Sequence, residues 1–242
     1  MSRQRADILL VERGFFASRA RAQEAIAAGL VSADGRPVRK ASDLLEADAA
    51  ISAQPPHPFV SRGGVKLSAA LDAFGFDPTG LTCLDLGAST GGFTEVLLKR
   101  GALRVYAVDV GRGQLHPSVA SDARVTSLES TDARSLTTAL IPEPVQCLVG
   151  DVSFISLKLV LPAAFSLLRD PCFVTVLVKP QFEAGPAHVR KGIVRDATVH
   201  QAVCEDLSAF VSAAGFDVLG VITSPIEGGD GNREFLLGAR RG

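Results

Sequence analysis

One stretch constrains this chain more than any other, Leu81 to Thr94, LTCLDLGASTGGFT. A short apolar run ends in Asp85, Gly87, Gly91 and Gly92 form a turn, and Phe93 begins an amphipathic helical pattern. Strand, glycine turn and helix in that order open an α/β domain of the kind that binds nucleotides outside the carboxyl ends of its strands. Glycine lets the backbone approach a ligand that any Cβ would hold away. The spacing argues against a nicotinamide or flavin cofactor, because G-x-G-x-x-G starting at Gly87 needs glycine where the chain has Ser89. The structural alternative for this stretch is a turn that serves only strand-to-helix packing.

The segments downstream extend the same architecture. Arg104 to Val110 reads as a second strand, and Asp109 near its end can accept hydrogen bonds from both ribose hydroxyls of an adenosine ligand. Val125 to Leu128, a third strand, leads to Asp132, placed either to reach an adenine amino group or to cap the next helix. Val145 to Val152 and Cys172 to Val178 are continuous apolar runs, as parallel strands covered on both faces require, and they end at Asp151 and Lys179. Between them Ile155 to Leu168 is a helical segment that tolerates Pro162. Thr198 to Ala214 predicts a long helix, Val218 to Ile222 a sixth strand, and Arg233 to Leu237 a seventh that carries Glu234. Lys66 starts a helical stripe beside the Ser61–Gly64 glycine turn, where a lone cation is ordinarily a solvated one. Gly185 to Arg195 is a polar loop with His188, Arg190, Lys191 and Arg195, suited to cover a site or to touch phosphates.

Two sets of motifs carry a family resemblance. The acid before the first glycine and the G-x-x-x-G-G turn resemble the first motif of S-adenosylmethionine-dependent methyltransferases. That resemblance implies a class I, Rossmann-like α/β fold with a seven-stranded, mostly parallel sheet whose last strand is antiparallel. It also implies S-adenosylmethionine as cofactor, held by Asp85, Gly87, Ser89, Gly91, Gly92, Phe93, Asp109 and Asp132. Lys66 in SRGGVKL, Asp151 in GDVSFIS, Lys179 in LVKPQFE and Glu234 in GNREFLL resemble the Lys-Asp-Lys-Glu tetrad of FtsJ-like ribose 2'-O-methyltransferases. The tetrad suits that chemistry: a ribose hydroxyl is a poor nucleophile that must be oriented in line with the sulfonium methyl and relieved of its proton. Lys179 is expected to accept the proton or stabilise the developing alkoxide, Asp151 to orient that lysine, and Lys66 and Glu234 to position the hydroxyl. No metal is required. A pair of surface salt bridges is the bland reading of the same four residues.

Residues 1 to 52 have a different texture. Ala6 to Arg13 and Arg19 to Ala28 are short helical patterns stopped at Gly14 and Gly29, with Ser18 in capping position. Asp34-Gly35 between two extended pieces signals a tight hairpin. Eight basic side chains face four acidic ones within residues 1 to 40. Such clustering can neutralise phosphates, although a solvated polar face accounts for charge alone. Arg5, Asp7, Leu10, Gly14, Ser18-Arg19, Ala22, Ile26, Gly29, Val31, Gly35 and Val38 resemble the S-four-type (alpha-L) RNA-binding domain, which implies RNA contacts at Arg5, Arg19 and Arg21. The expected organisation is this domain over 1–52, a proline-rich linker over 53–60 in which His57 is a surface residue, and the methyltransferase domain over 61–242. Together the two parts resemble the TlyA (hemolysin A) family of ribosomal RNA methyltransferases, which implies cytidine 2'-O sites in rRNA of one or both ribosomal subunits, probed on assembled subunits by a monomer.

Composition limits the rest. A net charge of -1 confines any nucleic-acid surface to local patches. Cys83, Cys147, Cys172 and Cys204 form no C-x-x-C pair and read as buried thiols of a reducing compartment. The apolar run Ile8–Val11 is too short for a signal peptide, and Leu159–Leu168 is well short of a membrane span, so a cytoplasmic location without a membrane partner is expected. The competing functions are a base methyltransferase, for which one aromatic after Asp151 is a thin platform, a membrane-active hemolysin, and an RNA-binding assembly factor without turnover.

Overall fold

Each part of the chain closes its own hydrophobic core. The structure, a computed structural model, describes residues 3–228 and 231–242. It divides into two compact units, Met1–Pro58 and Phe59–Gly242.

In the first unit β1 (Arg3–Arg5) pairs antiparallel with β4 (Leu44–Glu46). The helices α1 (Ala6–Glu12) and α2 (Arg19–Ala27) follow β1, and Ser18 caps α2 by accepting a hydrogen bond from the Arg21 amide. The hairpin forms where Asp34-Gly35 places it: β2 (Val31–Ala33) pairs with β3 (Arg36–Pro37), and both turn residues adopt positive φ, 51° and 73°. Leu10, Phe16, Ala22, Ile26, Val31 and Val38 fill the core between these elements. Two expectations change. Ala53, expected in the linker, closes a strand, β5 (Ile51–Ala53), which pairs with β2. His57 is no surface residue: its side chain is 8% exposed and its ring faces Glu24 at 3.5 Å.

The second unit is an α/β sandwich. Its strands are β6 (Thr82–Leu86), β7 (Arg104–Val108), β8 (Val125–Leu128), β9 (Val145–Gly150), β10 (Leu168–Val178), β11 (Asp217–Thr223) and β12 (Phe235–Arg241). They lie in the order β11-β12-β10-β9-β6-β7-β8, with β12 antiparallel between β10 and β11 and the rest parallel. The order reverses at β6, which opens a crevice outside its carboxyl end. Alternation along the strands sends Cys83, Val105, Cys147 and Val149 to one face, against α3 (Gly63–Phe74) and α4 (Gly92–Lys99). Leu84, Leu86, Leu148, Val174 and Val176 go to the other, against α6 (Leu157–Phe165) and α8 (Ala197–Ala213). Leu67, Leu97, Leu161 and Leu207 are fully buried, each worth roughly 1.5–3 kcal/mol of transfer free energy. The short helices α5 (Pro117–Ala120) and α7 (Pro180–Glu183) follow β7 and β10. Cys83, Cys147 and Cys172 are buried free thiols; Cys204 is half-buried. Glu234 does not lie within the seventh strand but directly before it.

Candidate active site

The site begins with backbone. Gly87 has φ 77°, and a Cβ there would sit 2.7 Å from the Asp151 carbonyl oxygen, so glycine both makes the turn and admits the neighbouring strand end. A Cβ on Gly92 would run into the Ser61 hydroxyl and approach the Gly64 amide at 3.0 Å. The two glycine turns of the sequence, Ser61–Gly64 and Gly91–Gly92, therefore pack on each other. This contact brings the start of α3, and Lys66 with it, to the start of α4. Spacing along the chain carried no signal of it.

A cleft of about 470 Å³ lies over the ends of β6, β7 and β9, lined by Gly87, Ser89, Asp109, Asp132, Val152 and Phe154 among others. The Asp109 carboxylate accepts the Ser89 and Gly111 amides at 2.7 Å each, which fixes it while leaving each oxygen lone-pair capacity for a ligand hydroxyl. Val108, Val110, Ile155 and Val160 supply apolar walls. Size, apolar lining and a fixed carboxylate fit an adenosine-type cofactor. Asp132 lines the cleft, yet its carboxylate caps the turn at the Arg134 amide and is held by the Arg134 guanidinium, at 2.6 Å to Nη2. Those contacts hold its carboxyl down at about 2 and give it a capping role at the edge of the cleft.

Four of the expected cofactor residues stand back from the cleft. Asp85 is wholly buried beneath it and accepts the Thr94 hydroxyl at 2.6 Å, while its other oxygen has no partner among the described residues. Burial pushes its carboxyl up to about 7 against the pull of that hydrogen bond, with the Asp151 charge adding to the rise. Gly91 packs against Leu115 and Val119, Gly92 against Ser61, and Phe93 is buried among Leu67, Val96 and Leu97. These three build the turn and leave the lining to Gly87 and Ser89.

The Lys, Asp, Lys and Glu residues come together as two pairs. Lys66 Nζ lies 2.5 Å from Glu234 Oε2, with the two side chains 8% and 3% exposed. Lys179 Nζ lies 2.5 Å from Asp151 Oδ1 and donates to the Ser153 hydroxyl at 2.7 Å. The register explains their meeting. Val178 on β10 opposes Phe235 on β12, and Val176 opposes Gly150 on β9. One step further along three adjacent strands come Lys179, Glu234 and Asp151, all with the alternation parity that faces α3. None is a solvated surface ion pair, and Lys66 in particular is buried where isolated-residue reasoning expects exposure. Phe154, missed as a site residue, is 91% exposed with φ 65°, lines the cleft, and tilts against Phe182 at 5.1 Å between centroids. An exposed aromatic and a positive φ side by side are the structural signal for it.

In the first unit the three candidate RNA-binding arginines are engaged internally. Arg5 and Arg19 both donate to Asp7, at 3.0 and 2.8 Å, and Arg21 donates to the His57 carbonyl at 3.3 Å. Asp7, completely buried, also accepts Gln23 at 2.8 Å. The Arg5 hydrogen bond outweighs burial and holds its carboxyl well below the usual range.

Comparison with known proteins follows the two units. A family model described as FtsJ-like methyltransferase matches residues 59–241, and one described as S4 domain matches residues 4–51. The 16S/23S rRNA (cytidine-2'-O)-methyltransferase TlyA of Mycobacterium tuberculosis is 43% identical over 98% of this chain and 90% of its own length. Hemolysin A of Brachyspira hyodysenteriae is 37% identical over 96% and 98%. A solved structure from Streptococcus thermophilus, bearing a provisional hemolysin name, superposes with a TM-score of 0.79 at 40% identity, covering 100% of this chain and 89% of that one.

Proposed function

The chain belongs to the FtsJ-like methyltransferase family, and from that premise we propose that it transfers a methyl group from S-adenosylmethionine to the 2'-hydroxyl of a cytidine in ribosomal RNA. The observation that carries this reading is the convergence of two lysine–carboxylate pairs on one rim beside a cleft fit for an adenosine-type ligand. Burying three ionisable groups and most of a fourth is costly, and the same volume filled with apolar side chains would serve stability as well or better. Their retention is best accounted for by chemistry.

S-adenosylmethionine, when bound, supplies an electrophilic methyl group. Asp109 would hold its ribose hydroxyls, and Val152 with Val110 would lie against its base. The rest falls to the rim. Lys179, oriented by Asp151 and Ser153, meets the 2'-oxygen and takes up or offsets the charge that develops as its proton leaves. Lys66 and Glu234, locked by their own pair, position that hydroxyl. Phe154, supported by Phe182, offers the acceptor nucleotide a face on which its base can stack. The S4-type unit would bring the RNA to this rim, in the cytoplasm and on assembled ribosomal subunits.

The hemolysin name of a relative raises a membrane activity as the second reading. Among the described residues no helix is long and apolar enough to cross a membrane. Leakage from liposomes by the purified protein is the outcome that favours this alternative. The test of the main proposal is transfer of labelled methyl groups to separated ribosomal subunits. Label in rRNA, at a nucleotide whose 3' linkage has become resistant to alkaline cleavage, supports ribose methylation; label at an alkali-sensitive position overturns it.

A further inference from the structure

The loop between α7 and α8 is more ordered than its composition suggests. Arg190 and Ile193 exchange backbone hydrogen bonds of 3.0 and 3.1 Å across a two-residue turn in which Lys191 and Gly192 have φ 51° and 78°. This is the geometry of a tight β-turn, here with a lysine at a position that usually takes glycine or asparagine. Two buried anchors fix the loop: Asn232 Nδ2 donates to the Gly192 carbonyl at 3.0 Å, and the His200 ring meets the Val194 carbonyl at 2.9 Å. Asn232 lies two residues before Glu234, so the loop is pinned to the segment that carries one member of the catalytic rim.

What the loop displays is mostly positive charge, with Asp196 the acid beside Arg195. Arg190, Lys191, Arg195 and the adjacent Arg233 are exposed, and none has an ion-pair partner among the described residues. Arg233 also borders a groove of about 270 Å³ lined with His200, Gln201 and Thr223, at the same end of the sheet as Lys179. The cofactor cleft at the same rim is lined by Asp109, Asp132 and Asp151, the last two held by Arg134 and Lys179. A polyanion approaching this rim is drawn to the side where cations carry no ion-pair partner.

We propose that Arg190, Lys191, Arg195 and Arg233 form an RNA-phosphate contact surface on the catalytic unit itself, which seats the acceptor strand beside the Lys66–Glu234 pair. The proposal rests on the reading of the protein as an RNA methyltransferase. Fixed cations at the rim set the register of a sugar–phosphate backbone without reading bases, and register is what in-line transfer to one 2'-oxygen demands.

The test uses the full chain and deproteinised ribosomal RNA. Binding is measured across a salt series for wild type, for Arg190→Ala/Lys191→Ala and for Arg240→Ala, whose cation sits on the far end of β12 beside Asp217. The loop variant should bind more weakly and its plot of log affinity against log salt should flatten by roughly 2, while the Arg240 variant follows wild type. Cofactor affinity and melting temperature should match wild type in both. A loop variant with wild-type affinity and slope overturns this proposal and leaves the methyltransferase reading standing. Wild-type protein that neither binds nor methylates RNA overturns both. Should the loop variant melt early, Arg195→Ala/Arg233→Ala provides the same readout from the flanks of the turn.

Discussion

Lys179 and Asp151 illustrate how much single residues disclose and where they stop. Both are visible in the sequence as polar residues closing apolar runs, but whether such residues meet depends on register between strands, which no local pattern reports. Truncating Lys179→Ala should abolish methyl transfer by ~10²-fold or more while cofactor binding stays intact, a loss of the size general acid–base groups contribute; wild-type turnover ends the assignment. Lys66→Ala strands Glu234 as a buried charge and should lower stability by about 3 kcal/mol, whereas Lys66→Met/Glu234→Leu should recover most of that stability in a denaturant titration without recovering activity. Asp85 is the residue whose role moved furthest. Its carboxyl is raised to about 7 by burial, so its contribution to stability is full below the unfolded value of roughly 3.9 and is lost as pH rises through 7. Asp85→Asn imitates the protonated form: it should melt like wild type at about pH 3.5, below the unfolded carboxyl value, and higher, by ~2–4 °C or more, at pH 8. An unchanged difference across that range contradicts the account of its burial.

At the scale of elements, strands and helices were the most legible part, because apolar runs, caps and glycine stops are local features. The Asp34-Gly35 hairpin and the Ser18 cap follow from them, whereas the antiparallel insertion of the last strand was implied by the family resemblance. The packing of one glycine turn on another was hidden, since two segments about thirty residues apart reveal contact only in three dimensions. Gly87→Ala should force apart β6 and the Asp151 strand end, and is expected to weaken cofactor affinity while reducing transfer beyond what that affinity explains; single-turnover kinetics at saturating cofactor separates the two. Asp7 was equally hidden: as part of a charge count it is one acid among several, yet it organises Arg5, Arg19 and Gln23. Its lowered carboxyl pKa means that its stabilisation is present above about pH 4 and disappears as pH falls through the folded value. Acid titration of the first unit followed by a local probe should show that loss in wild type and a flat profile in Asp7→Asn.

For the whole molecule, net charge and hydropathy exclude a polycation and provide for a core, while function depends on where charges are segregated. Acids and Arg134 line the cofactor cleft, two lysine–carboxylate pairs stand at its rim, and the loop before α8 carries cations with no ion-pair partner among the described residues. The central claim is that this rim methylates a cytidine 2'-oxygen of ribosomal RNA. Its most direct test is nucleoside mass spectrometry of ribosomal subunits treated with S-adenosylmethionine and either wild-type protein or Lys179→Ala. Wild type should yield 2'-O-methylcytidine and the variant none; a methyl group on a base, or equal product from both proteins, contradicts that claim.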